Sequence, residues 1–308
     1  MEEPRKTVVG VGHCCQDLIC SVETYPPEDG STHILSMDGS QGGGAVATAL
    51  VAASRLGARA AVIANLGDDD TGDSILRGFE AEGVNTDGVR RVAGITSRSI
   101  VMVDPVKGTR TKFPCRDGLA PIAFDEAQRR QIAGAGVLHL DGTRWDNAMA
   151  AAEIARAAGV PVSLDGCSRQ TDNERNLRLA GLSDLLIMNA VYPFRVSGEE
   201  DPERALRRMA DVGVPKRVVM MTRGSEGSLA LIGGRIEAFP AFPVRAVDTT
   251  GAGDVFHGAF LAEWLRTEDV RRCIRFASAA AALKCLRAGG RLGIPSRGET
   301  ERFLASQS

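Results

Sequence analysis

Short β-branched runs alternate with Ala- and Leu-rich segments of helical period along almost the whole chain, and no other feature restricts the fold as much. Strands are predicted over 7–11, 60–64, 137–140, 160–164, 185–189 and 217–222. Helices are predicted over 45–56, 71–82, 147–158, 202–212, 254–265 and 270–285, with a glycine-rich hairpin over 228–238. Strand, helix and strand in succession close as right-handed crossovers, so the repetition implies a mostly parallel sheet between two helical layers, an α/β/α arrangement. Two excursions break the rhythm. Residues 14–40 and 95–116 carry alternating segments at 18–22, 33–37, 98–103 and 110–113, bounded by Gly, Pro and Asp, which is the pattern of short antiparallel strands. They predict one small sheet at the mouth of the main domain, placed to act as a lid. No internal repeat or long linker divides the 308 residues, so a single domain over 1–308 is expected.

Composition excludes several classes of function. A 44% share of hydrophobic residues supports a large core, and 37 basic against 39 acidic residues leave no charged surface for nucleic acid or anionic lipid. No apolar stretch reaches the roughly 20 residues of a membrane helix. Residues 1–10 lack the basic start and long apolar run of a signal peptide, so a cytoplasmic protein acting on small molecules is expected. Cys14, Cys15, Cys20, Cys115, Cys167, Cys273 and Cys285 show no CxxC pair, which argues for reduced thiols over a disulfide frame or a zinc site. Cys14 and Cys15 fall beside a predicted substrate pocket and read as buried filler.

The chemistry concentrates in Val247-Asp248-Thr249-Thr250-Gly251-Ala252-Gly253-Asp254-Val255-Phe256-His257-Gly258-Ala259-Phe260. A strand is expected to end near Val247, followed by a small-residue turn and a helix. The amides of Gly251, Ala252 and Gly253 then point out of a helix N-terminus, where they attract a phosphate or a transferring phosphoryl group. Asp254, in the first turn, is held ionised by the same dipole and can take the proton of an attacking hydroxyl. A nicotinamide site at Gly10-Val11-Gly12-His13-Cys14-Cys15 is excluded, because the third glycine and the ribose-binding acid are missing.

The stretch Asp248–Phe260 resembles the C-terminal signature of the ribokinase/PfkB-type carbohydrate kinases. Gly42-Gly43-Gly44 with the helix ending Arg55-Leu56-Gly57, then Asn65-Leu66-Gly67-Asp68-Asp69, is similar to the family's N-terminal signature, and Thr222-Arg223-Gly224-Ser225-Glu226-Gly227 resembles its nucleotide loop. The resemblance implies a ribokinase-like fold with a β-sheet lid, ATP and Mg2+ as cofactors, and a homodimer formed through the lid. It implies a base at Asp254 beside the anion hole of Gly251, Ala252 and Gly253. Sugar contacts are implied at Asp17, Gly42, Gly43, Gly44 and Thr48. Nucleotide contacts are implied at Asn189, Thr222, Gly224, Gly227, Gly251, Gly253 and Ser278. Asp248 and Thr250 match positions that help bind a monovalent cation such as K+, although Asp248 serves equally as a turn former, and the loop 287–295 would close the other side.

The chain departs from the family twice. Thr48 stands where an Asn is usual, and Tyr192 stands where a Glu organises the water shell of magnesium, with Glu199 and Glu200 nearby in sequence. The second departure keeps open a catalytically silent sugar-binding paralogue. Within the family the likeness is to the bacterial sulfofructose kinases, carried by Gly42–Gly44 with Ala47-Thr48-Ala49, by Arg144-Trp145, and by Arg275–Ser278 through Leu283-Lys284-Cys285 to Gly289–Pro295. That likeness implies transfer to the 1-hydroxyl of 6-deoxy-6-sulfofructose, with Arg144 and Lys112 gripping the sulfonate. Arg144 stacked on Trp145, and Lys112 as a solvated lid residue, are the plain alternatives. Asp29–Gln41 holds no Lys or Arg, which leaves a neutral ketose or pentose open.

Overall fold

Three valines of the first strand, Val8, Val9 and Val11, are each 1% exposed, so this strand is covered on both faces, as a central parallel strand must be. The structure is a computed structural model, and it describes residues 7–104, 106, 109–115, 118–167 and 171–307. In chain order the first half runs β1 (Thr7–Val11), β2 (Cys15–Val22), β3 (Ile34–Gly43), α1 (Ala45–Arg55), β4 (Arg59–Gly67), α2 (Asp70–Ala81), β5 (Asn85–Val92), β6 (Arg98–Asp104) and β7 (Thr109–Cys115). There follow α3 (Glu126–Ala133), β8 (Val137–Leu140), α4 (Trp145–Ala157), β9 (Val162–Gly166), α5 (Asn173–Gly181), β10 (Leu185–Asn189), α6 (Tyr192–Ser197) and α7 (Pro202–Ala210). The last part is β11 (Val218–Thr222), β12 (Ser228–Ile232), β13 (Arg235–Phe239), α8 (Ala252–Thr267), α9 (Val270–Cys285) and α10 (Arg297–Ser306).

The main sheet has the order β13-β12-β11-β10-β9-β8-β1-β4-β5, parallel from β5 to β11 and antiparallel only in the closing hairpin. On one face Val46 and Leu50 of α1 pack with Phe256 and Phe260 of α8 and Ile274 of α9; on the other, Ala148 and Ala152 of α4 pack with Leu179 of α5 and Leu206 of α7. All the parallel strands therefore end on one edge, where Gly12, Asp141, Cys167 and Ala190 begin the connecting loops. Ligands of open α/β sheets bind at that carboxyl edge, and the order reverses between β1 and β8.

The second sheet, β3-β2-β6-β7, is built from the two predicted excursions. Its middle pair, β2 and β6, is parallel where antiparallel strands were expected, because both excursions leave the same edge of the main sheet in the same direction. Apolar Ile34, Leu35, Met37, Ile100 and Phe113 are exposed on it. Positions 105, 107, 108 and 116 of the expected lid, and residues 1–6 of the expected leaderless start, lie outside the described residues.

The sequence pattern also puts a strand before Val247, whereas residues 240–249 form none. Pro240 and Pro243 remove two amide donors there, so no ladder can continue. Among the described residues no helix is long and apolar enough to cross a membrane.

Candidate active site

Three consecutive glycines assemble one end of the candidate site by letting charged and polar groups approach the backbone. A Cβ on Gly42 would fall on the Arg291 guanidinium, one on Gly43 on the Asp17 carboxylate, and one on Gly44 on the carbonyl of His13. Gly44 also takes φ 99° as the N-cap of α1, a conformation that glycine adopts without strain. Thr48, one turn into that helix, is 3% exposed. Arg291 is itself buried; its Nη2 donates to the Gly43 carbonyl at 3.2 Å and its guanidinium lies 5.4 Å from the Phe79 ring centroid.

Asp17 projects from β2 into this cluster. It accepts hydrogen bonds from the Ser99 hydroxyl and from the Cys15 thiol at 3.6 Å, and Lys112 Nζ on β7 lies 2.9 Å from its Oδ1. Burial works to raise the Asp17 pKa, but the Lys112 and Ser99 hydrogen bonds outweigh it and hold the carboxyl below its usual value. Lys112 is therefore paired, not merely solvated. The Cys15 and Cys14 thiols are pushed up to about 12, chiefly by burial, so both stay protonated filler. Arg291, Asp141 and Arg144 are the charges around Cys14. Arg144 caps the start of α4, with Nη1 3.4 Å from the Leu119 carbonyl. The Trp145 indole carries Arg175 and Arg178, each 5.1 Å from the ring centroid. Asp141 fastens this corner by accepting from the amides of His13 at 2.8 Å, Thr143 at 2.9 Å and Val46 at 3.3 Å.

α8 begins as the sequence implies. Gly251 is its N-cap at φ 75°, no side chain caps it, and the first intrahelical bond runs from Val255 N to Gly251 O at 2.8 Å. The amides before Val255 precede that first bond, as the first four of any α-helix do. The Ala252 amide is partly engaged by the Thr249 carbonyl at 3.2 Å. Asp254 is half-buried in the first turn and acts electrostatically on Arg291, Lys284 and His257. Behind it, His257 Nε2 lies 3.3 Å from Asp165 Oδ1. Burial opposes charge on His257, and Asp165 overcomes that, raising its pKa. The loop after α9 closes the other side, with Gly290 against Gly251 and the Gly290 amide donating to Gln41 Oε1 at 3.1 Å.

Asp248 serves as a turn former. Its Oδ1 accepts from Thr250 N and its Oδ2 from Gly289 N, both at 2.8 Å, while the Thr250 hydroxyl accepts from Arg110 of β7 at 2.6 Å. Lys284 Nζ donates to the Asp248 backbone carbonyl at 2.7 Å. This donor set does not fit a monovalent cation: the polar side chains already face protein N–H groups, and an ammonium sits among them.

At the residues expected to meet a nucleotide, β11 stops at Thr222, whose hydroxyl lies 3.4 Å from the Met188 carbonyl, and the turn to β12 has Gly224 at φ 58° and Gly227 at φ 83°. A Cβ on Gly227 would strike the Phe239 carbonyl. Phe239, Pro240 and Phe242 line one wall of a cavity of about 550 Å³, with Arg275 and Ser278 of α9 on the other. Asp254 is not among its lining residues. Asn189 Oδ1 accepts from the amides of Val191 and Tyr192 at 3.0 Å each. Tyr192 is 2% exposed, and its hydroxyl donates to the Asn176 carbonyl at 3.2 Å, so the position where the family has a Glu is core. Glu199 pairs with Arg204 at 3.6 Å just before α7. Among the described residues no group of three or more His, Cys, Asp and Glu is placed to hold a metal. Mg2+ fits this site only as an ion carried on nucleotide phosphates and water.

The pfkB family carbohydrate kinase model matches residues 5–297. The chain belongs to the pfkB family of carbohydrate kinases. It is 33% identical to the ATP-dependent ribose-1-phosphate kinase of Halopiger xanaduensis over 97% of this chain and 98% of that one. The ribokinase of Haemophilus influenzae is 29% identical, with 97% and 99% covered. Among solved structures, the Arabidopsis thaliana ribokinase complexed with ribose and ATP superposes with a TM-score of 0.86 at 25% identity, covering 98% of this chain and 99% of that one.

The site residues that the sequence pattern does not single out are Ser99, Arg110, Asp141 and Gln41. Arg291 appears in it only as part of a glycine-rich run. Each acquires its place through contacts distant in sequence, and for Arg110 the one local signal is its alternation with Lys112 on β7. The Asp17–Lys112 pair yields a first prediction. Its contribution to stability is present above the ordinary Asp pKa and is lost as pH falls through the depressed folded value. In Lys112→Met the Asp17 carboxyl should titrate at higher pH in carbon-detected NMR; an unchanged titration would show that the lysine does not hold the carboxylate.

Proposed function

We propose that this carbohydrate kinase transfers the γ-phosphate of ATP to a primary hydroxyl of a small sugar that carries an anionic group. 6-Deoxy-6-sulfofructose, phosphorylated on its 1-hydroxyl, is the specific candidate. The observation that carries the reading is an arrangement of charges around Arg291. Asp254, in the first turn of a glycine-started helix, acts on Arg291; Arg291 bonds the backbone at Gly43; and Gly43 lies on Asp17. A base for the acceptor hydroxyl and a carboxylate for sugar hydroxyls are thereby joined through one buried cation.

In this reading Asp254 accepts the proton as the hydroxyl attacks phosphorus, and the amides of the Gly251-Ala252-Gly253 turn with the helix dipole stabilise the transferring group. Asp17 accepts hydrogen bonds from sugar hydroxyls. Thr222, Gly224, Gly227, Asn189 and Ser278 border the nucleotide in this reading, and Ser278 also lines the 550 Å³ cavity. Mg2+ supplies charge neutralisation on the β- and γ-phosphates when bound. Lys112, Arg144 and Arg291 near the glycines support an anionic substituent, and an anionic sugar is also the named substrate of the Halopiger relative. The ribose-bound Arabidopsis neighbour favours a second reading, a neutral pentose or ketose. A silent paralogue is disfavoured by the intact Gly251-Ala252-Gly253-Asp254 turn. The exposed apolar residues of the lid and its two edge strands support a homodimer through that sheet.

Three outcomes test this. Asp254→Asn should bind sugar and ATP almost normally and lose roughly 100-fold or more in kcat, and near-normal turnover would remove the base assignment. On a sugar panel with an ATP-consumption assay, sulfofructose or a sugar phosphate should be turned over better than ribose or fructose. Arg144→Ala should then raise its KM about tenfold without changing KM for ATP. Better turnover of a neutral sugar would establish the second reading. Light scattering should give a dimer, and a fully active monomer would rule the lid interface out.

A further inference from the structure

Lys284 is 0% exposed at the end of α9, among the largest wholly buried side chains of the molecule. A buried ammonium is costly unless it is hydrogen-bonded and opposed by charge. This one donates to the Asp248 carbonyl at 2.7 Å, and the acids acting on it include Asp248 and Asp254. Burial pulls its pKa down, and those two carboxylates oppose the pull. The backbone here is tied to α9 again, since the Val247 and Asp248 amides both donate to the Cys285 carbonyl, at 2.7 and 3.2 Å. Asp248 in turn fixes Thr250 and Gly289, the two flanks of the Gly251 turn.

We infer that Lys284 is a positioning residue whose ammonium is a built-in cation beneath the glycine turn, so that this enzyme needs no monovalent metal ion. The reasoning is electrostatic. The turn must hold amides toward an incoming phosphoryl group, and a fixed positive charge behind it both pins the Asp248 carbonyl and offsets the charges of Asp248 and Asp254. A free cation placed at the same carbonyl would share that oxygen with the Lys284 ammonium, and like charges on one acceptor repel. The ammonium is covalently anchored, so its occupancy does not vary with the salt of the medium.

The inference rests on the kinase reading, and the test separates the two. Thermal melts and turnover on the sugar panel are measured in KCl and in tetramethylammonium chloride at matched ionic strength. For the wild type, both Tm and kcat should be the same in the two salts. Lys284→Met should lose about 100-fold in kcat, the loss expected when electrostatic preorganisation of an anion hole is removed, with little change in KM for the sugar. Its Tm and kcat should recover in part in KCl and not in tetramethylammonium. Wild-type protein stabilised or activated specifically by K+, or Lys284→Met with wild-type kcat in both salts, overturns the inference. If Lys284→Met does not fold, the wild-type comparison still decides. If no sugar is turned over in either salt the kinase reading fails, and the wild-type melts still decide whether K+ binds.

Discussion

The corner of the candidate site at Gly42–Gly44 depends on how closely charged and polar groups can approach the backbone there. The guanidinium of Arg291, the carboxylate of Asp17 and the carbonyl of His13 each occupy space that a Cβ would need. Without those three absences the end of β3 would stand off from the first strand, the lid strand β2 and the loop after α9 together. The cost is conformational, since glycine loses more backbone freedom on folding than any other residue. It is offset because α1, which starts at Gly44, is buried along almost its whole length from Ala45 to Ala53. A helix with no exposed face at its start cannot shift to relieve a clash, so the glycines set the position of Arg291 relative to Asp17, and not the reverse.

The charges around this corner are arranged in opposed pairs. Asp17 faces Lys112, Asp165 faces His257, and the Asp248 turn faces Lys284 and, through Thr250, Arg110. Two of these partners, Lys112 and Arg110, come from the same lid strand, two residues apart, and strand side chains with that spacing share a face. The second sheet therefore carries one cation to Asp17 and another to the glycine turn at Thr250. Opening it would leave the Asp17 carboxylate without its lysine and the Thr250 hydroxyl without its arginine, so the closed lid and the charged site stabilise one another.

Local features of the sequence were legible, and contacts between distant segments were not. The Gly251–Asp254 turn could be read because its cap, dipole and carboxylate lie within four consecutive residues. The parallel sheet could be read because Val8–Val11, Val137–Leu140 and Leu185–Met188 are short, largely apolar runs without the polar alternation of a half-exposed strand. β5 was missed because Asn85, Asp87, Gly88 and two arginines interrupt any apolar period, its burial being supplied by α2 and α3. Lys284 and Arg291 carry no local signal for their roles. Lys284 bonds a carbonyl 36 residues away, and Arg291 bonds one 248 residues away. Asp248 showed the limit from the other side, since its sequence context admitted a cation ligand or a turn former and only the amides of Thr250 and Gly289 decide for the turn.

Tyr192 shows how one substitution redistributes charge across the nucleotide end. A glutamate at that position would have to face the phosphates to remain solvated, because a carboxylate beside Gly166, Met188 and Asn176 would be buried without a partner. The phenol can turn inward. Its ring fills the space above Gly166, its hydroxyl finds the Asn176 carbonyl, and Asn189 keeps the backbone turn by accepting from the Val191 and Tyr192 amides. The turn survives while its negative charge disappears. Under the kinase reading that removes one acidic contact to the water around a nucleotide-borne metal ion, and it also removes a charge that repels the phosphates. The first change shifts the task of neutralising the transferring group toward the protein's own cations, and the second lightens that task. In this chain those cations lie at the glycine turn, where the Arg110 guanidinium reaches Thr250 and the Lys284 ammonium holds the carbonyl of Asp248.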